Sequence, residues 1–206
     1  MPHDSMPAKR FDRALLPPAQ FEFVVVADTH YMLQSSDQGA EFASRRKQSQ
    51  RARTAFEWIA ALEPALVVHL GDLVQEYPAS PRFEQALREA KAQWESLGLR
   101  PQVVAGNHDV GDIPDPTMPA DRVTSQSLAF FHQSVGRSWY SFEHRDIHFV
   151  VLNSQLMNSA LPEAQDQRDW FWKGEYFSLD DGTFFNCRPK PEITDIAWEG
   201  HKAKGY

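Results

Sequence analysis

Three short apolar runs, each ending at a glycine or a carboxylate and separated by stretches of helical period, constrain this chain more than any other feature. Phe21 to Ala27 ends in Asp28, Ala65 to Leu70 ends in Gly71-Asp72, and Gln102 to Ala105 leads into Gly106-Asn107-His108-Asp109. Continuous runs this short predict strands, the first one buried on both faces. Ser44 to Leu62 lacks Gly and Pro, puts Ala52, Ala55, Phe56, Ile59 and Leu62 on one helical face, and stops before Pro64. Arg82 to Leu97 repeats the pattern with Phe83, Leu87, Ala90, Trp94 and Leu97, and Gly98 caps it. Strand, helix, strand, helix, strand with short connections predicts an α/β fold with a parallel sheet. In such sheets ligands sit beyond the carboxyl ends of the strands, where all three polar clusters lie.

The rest of the chain reads more loosely. Residues 1–20 are a polar lead-in ending in Leu16-Pro17-Pro18, and Asp112 to Asp121, with three prolines, is a loop. Ser125 to Gln133 predicts a short helix. Ser138 to Phe142 and Ile147 to Asn153, joined by a turn over Glu143 to Asp146, predict an antiparallel hairpin whose second arm is buried. From Trp170 no period is visible, so residues 21–170 are expected to form the domain and 171–206 an atypical tail. A length of 206 residues, 42% of them hydrophobic, is enough for a real core. The charge of -7 has the wrong sign for neutralising nucleic-acid phosphates. No apolar run reaches the roughly 18 residues of a membrane span, and the start lacks the apolar core of a secretory signal. The lone thiol, Cys187, fits a reducing cytoplasm.

Asp28-Thr29-His30 sets a carboxylate and an imidazole two residues apart at a strand end, where extended backbone aims both to one side. Gly71 admits close backbone approach, and Asp72 offers two oxygens able to bridge two ions. Asn107 adds a neutral oxygen, and His108 is followed by Asp109, a carboxylate expected to set its orientation or protonation. Each cluster alone is ordinary turn chemistry, but three on consecutive strand ends must converge on one crevice. His69, His132, His144 and His148 receive no role, His69 and His148 lying within strands. The basic run Arg45-Arg46-Lys47 with Arg51 and Arg53 reads as a solvated helix face, and Trp94, Phe130, Phe131 and Trp139 read as core. Asn153 either orients a metal ligand or closes its strand.

Asp28-x-His30, then Gly71-Asp72, then Gly106-Asn107-His108-Asp109, at separations of 44 and 35 residues, resembles the signature of the calcineurin-like metallophosphoesterase superfamily. Ser138 to Phe142 and Phe149 to Gln155 also resemble the hairpin that follows in its small cytosolic members. The resemblance implies an αββα sandwich, here with the C-terminal part of the second sheet missing. It implies two divalent ions (Mn, Fe or Zn), with Asp28 and His30 on the first, Asp72 bridging and Asn107 on the second. His108, with Asp109, would be catalytic and assist the departing group. The implied reaction is hydrolysis of a phosphomonoester or phosphodiester, on a small phosphorylated substrate or a phosphoprotein, by a metal-activated water. The family also carries later histidines, one after a strand and a pair in Gly-His-x-His. After Asn153 this chain has only His201, in Gly200-His201-Lys202-Ala203. That departure supports an alternative, a catalytically incomplete member that holds one ion loosely. A non-catalytic nucleotide-binding module ranks below both, because Asp28-Thr29-His30 stands where a Gly-rich phosphate loop would be needed.

Overall fold

The computed structural model describes residues 21–33, 47–117, 120–157 and 159–171, and the backbone of 172–173, 177–178 and 184–185. Strand β1 is Phe23–Val26, β2 is Leu66–His69 and β3 is Gln102–Val103; helices α1 (Gln48–Ala61) and α2 (Phe83–Glu95) connect them. The pairing is parallel, from Phe23↔Leu66 to Val26↔His69 and from Val68↔Gln102 to His69↔Val103, with β2 in the centre. Both helices stop where the sequence breaks them. Glu63 takes φ 46° immediately before Pro64. Gly98 takes φ 76° after α2, where Gly98 N donates to Glu95 O and Leu99 N to Trp94 O, closing a Schellman turn. Residues 44–46, the expected start of the first helix, lie outside the described residues.

The register sends Val24, Val26, Val67, His69 and Val103 to one face of the sheet. There they meet α1 and α2, and the rings of Phe56, Trp94 and His69 pack with centroids 5.6, 6.1 and 6.2 Å apart. Phe56, Leu87, Ala86 and Ala90 are almost fully buried in this layer. Each large apolar side chain so placed contributes about 1.5–3 kcal/mol. On the opposite face Leu66 and Val68 of the central strand are buried, but Phe23 and Val25 are 44% and 50% exposed. The expected burial of the first strand on both faces is thereby corrected. Among the described strands β1 is an edge, covered by the helices on one side and touched on the other by Phe149, edge-on to Phe23 at 5.9 Å.

Asn107–Val110 forms a single helical turn, α3, and Ser125–Ser134 forms α4, whose Thr124 accepts from Ser127 N in a capping box. The hairpin is β4 (Tyr140–His144) and β5 (Ile147–Val151), antiparallel from Tyr140↔Val151 to His144↔Ile147. Phe142 stacks on its cross-strand partner Phe149 at 4.9 Å, and Tyr140 Oη donates to Val103 O at 3.0 Å, fastening the hairpin to β3. Its second arm is not buried as expected. Val151 is, but Val150 remains exposed on the face turned away from the sheet, and Ile147, on the face of Val151, remains exposed at the turn end of the strand. A 3-10 turn (Ser154–Leu156) and α5 (Pro162–Lys173) follow. Asn153 closes the strand: its Oδ1 accepts from Gln155 N, and its backbone exchanges two hydrogen bonds with the Gln167 amide. Beyond Trp170, where no period is legible, α5 continues and β6 (Phe177–Ser178) pairs antiparallel with β7 (Phe184–Phe185); two-residue strands are too short to leave one.

Candidate metal centre

Beyond their last strand residues β1 and β2 continue side by side. Asp28 N donates to Gly71 O, His30 N to Asp72 O, Tyr31 N to Leu73 O and Gln75 N back to Tyr31 O. Along this track Asp28, His30 and Asp72 take positive φ (55°, 41° and 54°), which turns their side chains out of the strand alternation. Such backbone costs about 1–3 kcal/mol per non-glycine residue, and the ladder of amide bonds holds it in place. The third strand end joins by close approach. A Cβ on Gly106 would stand 2.3 Å from Asp72 Oδ1, and one on Gly71 would stand 2.3 Å from Gly106 N. Only glycine permits that contact at either position.

Of the residues the motif spacing singled out, His30, Asp72 and His108 cluster, and Asp28 stands beside His30. His30 Nε2 lies 3.6 Å from Asp28 Oδ1 and 3.7 Å from Asp72 Oδ2. One ligand atom each of His30, Asp72 and His108 fall within 4.8 Å of one another, and the His30 and His108 rings meet edge to face at 4.7 Å. Oxygen and imidazole donors about 2.1 Å from a common ion stand roughly 3–3.5 Å apart, so the 3.6 and 3.7 Å separations around His30 are a few tenths of an ångström wider than a bound divalent cation would draw them. Their chemistry, carboxylate and imidazole, suits Mn, Fe or Zn. Asp72 is itself aimed: Oδ1 accepts from His108 N at 3.0 Å, which leaves Oδ2 toward His30. His30 Nδ1 is buried without a hydrogen-bond partner. Asn107 donates through Nδ2 to Asp112 Oδ2 at 2.8 Å, leaving its carbonyl oxygen as the acceptor available to a cation.

His108 is held differently from expectation. Its Nδ1 meets Gln75 O at 2.9 Å, and Tyr77 stacks on its ring at 4.1 Å. A carbonyl only accepts, so Nδ1 carries the proton, and the neutral ring presents the Nε2 lone pair. Burial holds the imidazole pKa below its usual range, with Asp72 acting the other way. Asp109, expected to orient this ring, is instead wholly buried against backbone. Its Oδ2 accepts from Asp72 N (2.8 Å) and Gly106 N (2.9 Å), and its Oδ1 from Leu73 N (2.9 Å). The carboxylate therefore clamps the second and third strand ends together. Burial pushes it up to about 7, against the pull of the three amides.

His69, given no role from the sequence, sits fully buried beneath the site. Gly71 N donates to its Nδ1 at 3.1 Å, so the neutral ring carries its proton on Nε2 and donates to Thr29 Oγ1 at 3.0 Å. Thr29 stands between Asp28 and His30, so the buried ring joins both ligand-bearing loops. Burial lowers its pKa to about 4. Asp112, Tyr77 and the Gln75 carbonyl also escape sequence reading, because they act through contacts 5 to 33 residues away and belong to no motif. His148 lies against Glu143 and His132 bonds Ser138 within the hairpin region, apart from the centre. His201 lies outside the described residues. A cleft of about 530 Å³, lined by Asp112, Ile113, Arg122, Gln155, Met157 and Leu161, opens beside Asp112.

Comparison with known proteins places this arrangement. The family model of calcineurin-like phosphoesterases matches residues 21–204. Curated relatives include serine/threonine-protein phosphatase CPPED1 of Mus musculus, 29% identical over 161 residues, which cover 71% of this chain and 48% of that protein. Those of Homo sapiens (29% over 126 residues, 57% of this chain and 35% of that protein) and Danio rerio (30% over 113, 52% and 33%) match shorter stretches. The chain thus spans a third to a half of the length of these relatives.

Proposed function

The chain belongs to the calcineurin-like phosphoesterase family, and from that premise we propose that it hydrolyses a phosphomonoester or phosphodiester with water in a divalent-metal-dependent reaction. The observation that carries this reading is the position of His30 Nε2, 3.6 Å from Asp28 Oδ1 and 3.7 Å from Asp72 Oδ2, in a cluster with Asp72 and His108. Asp28, His30 and Asp72 would hold one ion, and Asp72 with Asn107 would offer oxygens to a second. When bound, such ions supply a water nucleophile near neutral pH and offset charge on the phosphoryl oxygens. The protein's own part is geometric and protonic. Water attacks phosphorus opposite the leaving oxygen, and that P–O bond breaks as the new one forms. His108, fixed by Gln75 O and Tyr77, has Nε2 available. The arriving dianion favours its protonated form, and Nε2–H then passes its proton to the leaving alkoxide.

Relatives named as serine/threonine-protein phosphatases favour a phosphorylated Ser or Thr in a protein over a small phosphoester as substrate. The cleft beside Asp112 is within the volume range of a binding site and offers both Arg122 and apolar wall to a side chain next to the phosphate. A cytoplasmic location belongs to the same proposal and rests on the single thiol, Cys187. A second reading, a catalytically incomplete member, draws on one observation: the described residues assemble one three-donor cluster.

The test is metal content with turnover of p-nitrophenyl phosphate and bis-p-nitrophenyl phosphate after Mn loading, for wild type and Asp72→Ala. Two ions per chain and turnover, with turnover lowered at least about 10²-fold in the variant, is the expected result. One ion and turnover equal to the variant's would establish the incomplete reading instead.

A further inference from the structure

We infer that Asp112 is a positioning residue of the metal centre, setting the Asn107 amide so that its oxygen, not its nitrogen, faces a cation. This rests on the reading of Asn107 as a metal donor given above. An asparagine side chain is nearly symmetric in shape, and its two ends differ only in what they can bond: NH₂ donates, C=O accepts. Unconstrained, it can present either end to the centre, and the NH₂ end repels a cation. Asp112 removes that freedom. A carboxylate has no hydrogen to give, so a 2.8 Å contact between the Asn107 amide and Asp112 Oδ2 is possible only with Nδ2 donating. The carbonyl oxygen then has to point the other way.

Asp112 is itself held firmly enough to act as a reference point. Its Oδ1 accepts from Ile113 N at 2.7 Å, and its own N–H donates to Asp121 O at 2.7 Å across the base of the 112–121 loop. Both oxygens are engaged with protein donors, which fits a group that orients a ligand and not one that serves as a ligand. Tyr77 Oη also reaches Oδ2, at 3.4 Å, while its ring lies on His108. One carboxylate therefore braces the Asn107 amide directly and the His108 ring through Tyr77. Neighbours in sequence to the Asn-His motif carry no such information, since the contact exists only because α3 folds Asn107 back toward the loop that follows it.

The experiment is titration of the full chain, stripped by chelation, with Mn²⁺ alone, free ion being read by electron paramagnetic resonance. The variants are Asp112→Ala, Asn107→Ala and the double variant, each with its urea midpoint. The expected result is that Asp112→Ala weakens the site that Asn107→Ala weakens, by roughly 10–100-fold. In the Asn107→Ala background it should change affinity by less than about threefold, because there is no amide left to orient. Equal losses in both backgrounds would show that Asp112 acts through the fold, and wild-type affinity in Asp112→Ala would show that it does not act; either overturns the inference. Should Asp112→Ala not fold, Asp112→Leu serves: it keeps a similar branched shape but has no acceptor for the Asn107 amide, and an unweakened site there also overturns the inference. Failure of wild type to bind Mn²⁺ would instead overturn the metal reading on which this one rests.

Discussion

Replacing Asp109 probes the clamp that holds two of the three ligand-bearing strand ends together. Three backbone N–H groups, from Asp72, Leu73 and Gly106, point at its two oxygens, and none has another acceptor assigned in the structure. Asp109→Ala leaves all three without that acceptor, and a buried donor so stranded costs about 1–3 kcal/mol. The space vacated is on the order of one water's share of volume, about 30 Å³, and a water there satisfies part of the loss. The lower end of the range is then appropriate, about 3 kcal/mol in all. Asp109→Asn keeps one oxygen. Placed at Oδ2 it still serves Asp72 N and Gly106 N, but its NH₂ then faces Leu73 N–H, so the loss is that of one bond, about 1–2 kcal/mol. Urea unfolding followed by tryptophan fluorescence at pH 8, where the carboxyl is ionised, measures both. On heating, 3 kcal/mol corresponds to roughly 6–12 °C for a domain of this size. The expected order is wild type, then Asn, then Ala, with Mn²⁺ affinity falling in the same order because Asp72 rides on the clamped amide. Losses below about 0.5 kcal/mol for both variants would refute the clamp. An altered pH–rate profile at unchanged stability would restore the reading of Asp109 as the partner of His108.

Two further predictions concern the same loops. His69, lowered to about 4 in the fold from an ordinary 6.5, binds more protons unfolded than folded between those values, so its contribution to stability is present above about pH 6.5 and lost as pH falls toward 4. At about 1.36 kcal/mol per unit the loss is roughly 3 kcal/mol, read as the difference in urea-derived stability between wild type and His69→Gln across pH 4–7. Parallel profiles would contradict the buried neutral ring. Gly106→Ala places a Cβ 2.3 Å from Asp72 Oδ1 at an ordinary φ of -91°, so the conflict is steric, and separating the loops by about 1 Å should cost on the order of 10²-fold in turnover. Turnover within threefold of wild type would show that the strand ends need not touch.

Much of this centre was legible in the sequence because its information is local. The apolar runs, the helical faces and the breaks at Pro64 and Gly98 follow from periodicity and backbone preference and recur in the structure, except that Leu62, counted with the first helix's apolar face, is 61% exposed where the helix ends. Asp28, His30, Asp72 and His108 could be placed together because parallel crossovers carry consecutive strand ends to one edge. Less local features went astray. Whether Phe23 and Val25 are covered depends on what stacks against β1, and an apolar run does not say how many faces will find a partner. The same holds for Val150 on the hairpin.

The sequence by itself determined which donors stand at the strand ends and that they are of a kind that suits a divalent cation, since side-chain chemistry and strand order need no third dimension. Only the tertiary structure decided what each of those side chains is held by. Asp109 lies beside His108 in the chain yet bonds amides 36 and 37 residues away, and the ring it was expected to orient is held by the Gln75 carbonyl, 33 residues away. Covalent adjacency fixes where a group begins. The direction it faces is set by which buried donors and acceptors must be satisfied once the strands are packed.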